Sequence, residues 1–223
     1  WGLVFKAEES KSAEPFDDEI LDMGEVGVKS TLADGHLLLN VATFYGKYKD
    51  VQVSTFTAYD SNGDGVEDAF FGNFLNAGNA TMKGVEVEFD ASSHSVDWFS
   101  VNGYVSYLDL TPDEFLDANH DGFVDTQVIS NAPEFTGGLH LNFDFPAFGG
   151  LITASVGGNY RDDAILTNEG GPYPGRPGQP LLPISQSAYE TYDAWVSWLS
   201  PNARWRFAVN GKNLTDEDYL TNG

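Results

Sequence analysis

The chain has 223 residues, no cysteine, and 34 acidic against 11 basic residues, for a net charge of −23. That balance excludes a nucleic-acid partner, whose phosphates it would repel, and the lack of cysteine excludes disulfide staples, leaving strand closure or apolar burial to supply stability. Only 41% of residues are apolar, and no run nears the roughly 18 that a membrane helix needs, which excludes a helical span but not one built from strands.

Taken in chain order, hydrophobic periodicity predicts about nine strands, at 1–6, 23–33, 36–56, 71–91, 96–109, 133–145, 150–163, 188–199 and 203–213. The chain opens on Trp1, without an initiator methionine or a basic-then-apolar leader, and reads as an internal piece of a longer precursor. Within the strands the period is two. Val85, Val87 and Phe89 alternate with Glu86, Glu88 and Asp90. Leu139, Leu141, Phe143 and Phe145 alternate with His140, Asn142 and Asp144. Ile152, Ala154, Val156 and Tyr160 oppose Thr153, Ser155 and Asn159, while Trp205, Phe207 and Val209 oppose Arg204, Arg206 and Asn210.

The connections fall into two classes. Asp34-Gly35, Ser92 to Ser95, Pro146 to Gly149 and Ser200 to Asn202 are tight turns of Gly, Pro, Asn, Asp and Ser. Those near 7–22, 57–70, 110–132 and 164–187 are long and polar or rich in Gly and Pro. In an up-and-down meander, alternate connections lie at opposite ends, so all tight turns share one end and all long loops the other. Transmembrane barrels have this asymmetry, with short periplasmic turns and long extracellular loops. The strands exceed the usual soluble length of about 5–6 residues. Aromatics gather at Trp98-Phe99, Tyr104 to Tyr107, Tyr192 to Trp198 and Trp205, as interfacial girdles would. The predicted fold is an all-β, antiparallel transmembrane barrel, present in part, with its apolar face on outer-membrane lipid.

Charge is concentrated in the long loops: segments 7–22, 57–72 and 109–125 hold 7, 4 and 6 of the 34 acidic residues, with Lys11 their only base. Two of these segments repeat the spacing D-x-N-x-D-G-x-x-D, at Asp60, Asn62, Asp64 and Asp68 and at Asp117, Asn119, Asp121 and Asp125. Carboxylates and an amide at alternate positions can converge on one hard cation, with Gly65 and Gly122 permitting the sharp turn. Ca²⁺, which takes about 6–8 oxygens, is the expected ion. The twelfth positions are Phe71 and Val128 rather than the glutamate of an EF-hand, so modest affinity is expected. The plainer reading is a polar turn in a solvated loop.

Inward-facing Glu86, Glu88, Asp90, His140, Asn142, Asp144, Arg204 and Arg206 are candidates to line a solute path, or simply the wet wall of a large lumen. Tyr173 and Arg176, in the Pro/Gly-rich stretch 168–183, are candidates to touch a solute from an exposed loop. No catalytic arrangement is visible. The four histidines are scattered over turns, a loop and a strand, and there is neither a G-x-S-x-G nucleophile motif nor a phosphate-binding glycine loop.

Five stretches in order carry a family resemblance. They are Phe16-Asp17-Asp18-Glu19 with Glu25 to Ser30, and Phe44-Tyr45 with Tyr48 to Gln52; then Asn76 to Glu88, Asn131 to Phe135, and Gly211 to Tyr219. The third contains Asn76, Gly78, Ala80, Gly84, Val85 and Glu86, similar to an "N-x-G-x-A-x-x-x-G-V-E" segment. The last is similar to an "N-L-T-D-x-x-Y" signature. Together they resemble TonB-dependent outer-membrane receptors. The resemblance implies a Gram-negative outer-membrane location and a barrel of about 22 strands with a plugged lumen. It further implies import of a scarce solute, a siderophore or an oligosaccharide, powered through the TonB system. No plug domain, TonB-contacting segment or terminal aromatic strand is recognisable, so the chain is expected to be the C-terminal part of the barrel. The rival readings are a passive porin-like barrel and a secreted calcium-binding β-sandwich.

Overall fold

The computed structural model describes residues 16–65, 69–93, 95–115, 129–167 and 184–220. Eight strands form one antiparallel sheet: β1 Ile20–Leu32, β2 Leu37–Tyr59, β3 Ala69–Ser92, β4 Phe99–Phe115, β5 Phe135–Ala147, β6 Gly150–Arg161, β9 Tyr189–Leu199 and β10 Arg206–Gly211. Each pairs with the next, and β9 follows β6 directly in the sheet. Between those two, β7 Ala164–Thr167 and β8 Ile184–Gln186 pair as a separate two-stranded ribbon. The predicted strand 1–6 lies outside the described residues.

The meander and its turns follow the sequence pattern. At the first tight turn, Asp34 and Gly35 have φ of 54° and 94°, a conformation that Asp tolerates and Gly adopts freely. The long connections are shorter than expected. β2 and β3 continue in register up to the Tyr59–Ala69 pair, and β4 runs on to Phe115, because each added pair satisfies backbone groups that the preceding pairs have already aligned. The excursion 164–187 contains the β7–β8 ribbon.

Register carries the predicted alternation across the whole sheet. Val28, Val41, Val87, Val105, Gly137 and Tyr160 fall in one row, as do Leu39, Phe89, Gly103, Leu139, Gly158 and Tyr192 in the next. No second sheet covers this apolar face among the described residues. Val28, Leu139 and Val209 are 61%, 48% and 71% exposed. The buried apolar residues are only Val51, Ala80, Ala164 and Leu166 among those described. A soluble sandwich would bury such a face about 10 Å from a second sheet. This chain instead presents it to a medium that must itself be apolar, and the calcium-binding sandwich reading is set aside.

Rings bound that face above and below. Tyr107 and Phe135 pack at 4.9 Å on the loop side. On the turn side Trp98 and Phe99 pack on Phe143 at 6.3 and 5.4 Å, and Trp198 stacks on Phe207 at 6.2 Å. From Phe135 to Phe145 the strand rises about 33 Å, which at a tilt of 35–45° spans roughly the 25 Å apolar band of an outer-membrane barrel.

Candidate functional site: the inner wall and the outer loops

The opposite face of the same strands carries the predicted inner residues. Across β4, Asp90 on β3 shares a row with His140 on β5, Glu88 with Gly138 and Glu86 with Thr136; Asn142 and Asp144 follow in rows nearer the tight turns, and Arg206 enters from β10. Asp90, Asn102, His140, Gly157 and Asp193 make one row; Lys29, Asn40, Glu88, Tyr104, Gly138, Asn159 and Thr191 make another. Asn40 Nδ2 reaches Glu88 Oε2 at 3.4 Å, and Asn142 Nδ2 donates to Asn102 Oδ1 at 2.8 Å.

Glycines on this wall are roofed by rings from the paired strand. Phe44 lies over Gly84, Tyr104 over Gly138 and His140 over Gly157. This is how a sheet restores packing where a strand has no side chain of its own. Tyr104, expected from sequence in an aromatic girdle, therefore belongs to the inner wall. A shallow hollow of 330 Å³ sits between Leu38, Asn40, Glu88, Asp90, Asn102 and Tyr104. Its carboxylates, amides and phenol can exchange hydrogen bonds with water or a hydrated solute. Asn40, Asn102 and Tyr104 escaped sequence reading because only their register against Glu88 and Asp90 gathers them.

The family-like asparagines prove to be structural. Asn76 accepts from the Asp17 N–H at 2.6 Å and donates to the Asp17 and Asp50 carbonyls at 2.9 and 2.7 Å. It thereby ties the approach to β1 onto a bulge in β2, where Asp50 has φ 55°. Asn79 Oδ1 accepts from the Asp50 N–H at 3.2 Å. Asn131 Oδ1 accepts from Arg161 Nη2 at 2.6 Å. Asn213 both accepts from the Glu217 N–H and donates to its carbonyl. Just outside the apolar band, Lys83 pairs with Asp109 at 3.0 Å, Lys47 with Asp113 at 3.0 Å and Lys49 with Asp22 at 2.7 Å.

At the outer end the first acidic repeat is described from Asp60 to Gly65. Asp60 Oδ1 accepts from the N–H groups of Asn62, Gly63 and Asp64 at 3.1, 2.6 and 3.2 Å, and Oδ2 accepts from Gly65 at 2.6 Å. Asn62 Nδ2 donates to Asp64 Oδ2 at 3.0 Å. The oxygens thus converge on N–H donors within the loop. Among the described residues no group of three or more His, Cys, Asp or Glu is placed to hold a metal. Asp68 and the second repeat, Asp117, Asn119, Asp121 and Asp125, lie outside the described residues, as do Tyr173 and Arg176.

The Gly65 N–H, with those of Gly63, Asn62 and Asp64, holds the Asp60 carboxyl below the usual carboxylate range. A carboxyl with a depressed folded pKa supports its structure above the unfolded value and loses that support only as pH falls through the folded value. The turn is therefore expected to stay ordered below about pH 3.9, the ordinary aspartate pKa. Site-resolved carboxyl NMR checks this; an Asp60 midpoint at or above the ordinary value would refute it.

A second hollow, of 590 Å³, lies at the outer end between Leu108, Thr111, Ile129, Glu134, Asp162 and Ile165. Sequence reading missed it, because 129–134 and 162–165 are brought together by β5–β6 pairing and by the Asn131 N–H to Ile165 carbonyl bond of 2.6 Å.

A single-layer meander with one apolar and one polar face, ringed by aromatics, matches a known architecture. The family model for TonB dependent receptor-like β-barrels matches residues 4–214. The chain belongs to this family. It is accordingly an outer-membrane protein, and the face bearing Val87 and Leu139 is its lipid surface. Among solved structures, the ferric yersiniabactin uptake receptor FyuA from Yersinia pestis superposes with a TM-score of 0.63 at 20% identity, covering 94% of this chain and 28% of that one. The ferric-catecholate import receptor Fiu from E. coli K12 gives 0.62 at 19%, covering 92% and 24%. The siderophore receptor PiuA from Acinetobacter baumannii gives 0.55 at 18%, covering 89% and 25%. At such identities the likeness shows the fold. The chain spans about a quarter of these receptors' length. No curated protein matches the sequence.

Proposed function

We propose that this chain is the C-terminal part of the barrel of a receptor that imports a scarce solute of the siderophore or oligosaccharide class. Transport rather than catalysis is its business. Extracellular loops capture the solute, the polar inner wall conducts it, and a plug domain gates it with energy passed through TonB. The observation that carries this reading is the continuous polar inner face, with carboxylates, amides and cations in register across the strands of a family barrel. The outer end adds a constraint on cargo. Three segments toward that end, 7–22, 57–72 and 109–125, hold 17 of the 34 acidic residues and one base of their own, Lys11. Asp22, Asp109 and Asp113 among them are paired with Lys49, Lys83 and Lys47, and the acidic excess that remains is a field that repels multiply charged anions and favours neutral or cationic solutes. We also assign Ca²⁺ to the two D-x-N-x-D-G loops on the chemistry of their oxygens; in the first, coordination would replace the Asn62–Asp64 hydrogen bond.

The test is uptake by cells expressing the full-length receptor, using a panel of labelled neutral, cationic and anionic ferric siderophores and oligosaccharides. Accumulation of a neutral or cationic member, lost without TonB, is expected. Uptake indifferent to TonB would make the barrel a passive pore, and preference for a polyanion would overturn the electrostatic constraint. Repeating the assay with calcium chelated tests the loops: unchanged capture and unchanged loop spectra would remove the ion from the account.

A further inference from the structure

The lipid face is not uniformly covered by side chains. Gly103, Gly137 and Gly158, on adjacent strands β4, β5 and β6, all point to it. Two of the three are roofed: Phe89 lies over Gly103 and Tyr192 over Gly158. Gly137 is not. A side-chain carbon there would meet only the Tyr104 carbonyl and a Val105 methyl, both at 3.3 Å, and no ring. The result is a groove of 550 Å³ floored by bare backbone and walled by Val87, Phe89, Val105, Leu139, Tyr160 and Tyr192. A glycine inside a strand often marks a bulge, a tight bend or a site where a ligand approaches the backbone closely, and the pairing of β5 on both sides of Gly137 runs without a register shift.

We propose that this groove holds one acyl chain of an outer-leaflet lipid. Three observations select that occupant. The groove is continuous with the apolar band that faces the bilayer. Its lining is apolar along its length, apart from its outer end. There Tyr160 donates its hydroxyl to Asp162 at 3.0 Å and Tyr192 donates to Glu190 at 2.5 Å, placing the opening at the outer interface where a chain leaves its headgroup. Hydrocarbon lying on the Gly137 backbone makes dispersion contacts that a void would forfeit, and it needs no polar partner. The carboxylates at the opening offer nothing to a phosphate, so recognition rests on the chain and not on the headgroup.

The full-length receptor, reconstituted in phosphatidylethanolamine–phosphatidylglycerol vesicles with a trace of a diazirine-tagged acyl phospholipid, gives a direct reading after irradiation and adduct mapping. Labelling at Val105 and Leu139 is expected severalfold above that at lipid-facing Val28 and Val209. Gly137→Leu, which fills the groove, should abolish the enrichment while leaving Val28 and Val209 labelled. Should that variant not fold, Leu139→Ala widens the groove, and enrichment at Val105 must then rise. Equal labelling of all four positions would mean ordinary annular lipid and overturn the proposal. So would protection of Val105 with receptor-to-receptor cross-links through Tyr160, which would make a second copy the occupant.

Discussion

Leu141→Arg is expected to destabilise the full-length receptor in a bilayer by about 2–4 kcal/mol, while His140→Arg, one residue away, should cost less than about 1 kcal/mol. The two side chains leave the same strand in opposite directions. Leu141 is in register with Val101 on one side and Val156 on the other, roughly midway between the girdle positions Phe135 and Phe145. A guanidinium there has a long way to either interface and must snorkel or drag water in with it. His140 shares its row with Asn102 and Asp193 on the wet face, where a cation meets carboxylates rather than hydrocarbon. Denaturant unfolding in liposomes measures both. Equal penalties would mean that both faces see the same medium, and a reversed order would mean that inside and outside had been exchanged.

That contrast is legible in the sequence, because a period of two leaves no freedom: once Leu139 faces lipid, His140 cannot. The turn chemistry was equally readable, since Asp34-Gly35 and Pro146 to Gly149 contain the residues that tight turns demand. The reach of the strands was not. Acidic and glycine residues between 57 and 72 signal a loop, yet the hairpin of β2 and β3 zips on to Tyr59 and Ala69 because each added pair satisfies backbone groups already aligned. The site features set by register were also hidden. Gly157 and His140 are far apart in sequence and meet only because β5 and β6 align them. Asn76 and Asn131 stand out in sequence only as members of the family-like stretches, and their amides are occupied with backbone or with Arg161. Nothing local to either residue distinguishes those fates.

The ring-over-glycine pairs make a sharper test, because two of them differ in what fills the gap. At Gly157 the atoms nearest to a side-chain carbon all belong to the His140 ring. At Gly84 it would collide with the Phe44 ring and also with the Tyr107 carbonyl oxygen, which belongs to the backbone of the paired strand. A ring can be removed or rotated; a carbonyl in the sheet cannot move without parting the strands. Gly157→Val should therefore cost about 2 kcal/mol, and Gly84→Val about 3 kcal/mol or more, as overpacking does in an interior. The second substitutions separate the causes. His140→Ala should restore Gly157→Val to within about 1 kcal/mol of the His140→Ala single variant, a large favourable coupling in the double-mutant cycle. Phe44→Ala should recover little of the Gly84→Val loss, since the Tyr107 oxygen remains. Equal rescue at both sites would mean that the strand spacing at Gly84 yields as readily as a ring turns. The glycines of the inner wall would then be gaps left for aromatic side chains, and Gly84 would no longer be required by the approach of β3 to β4.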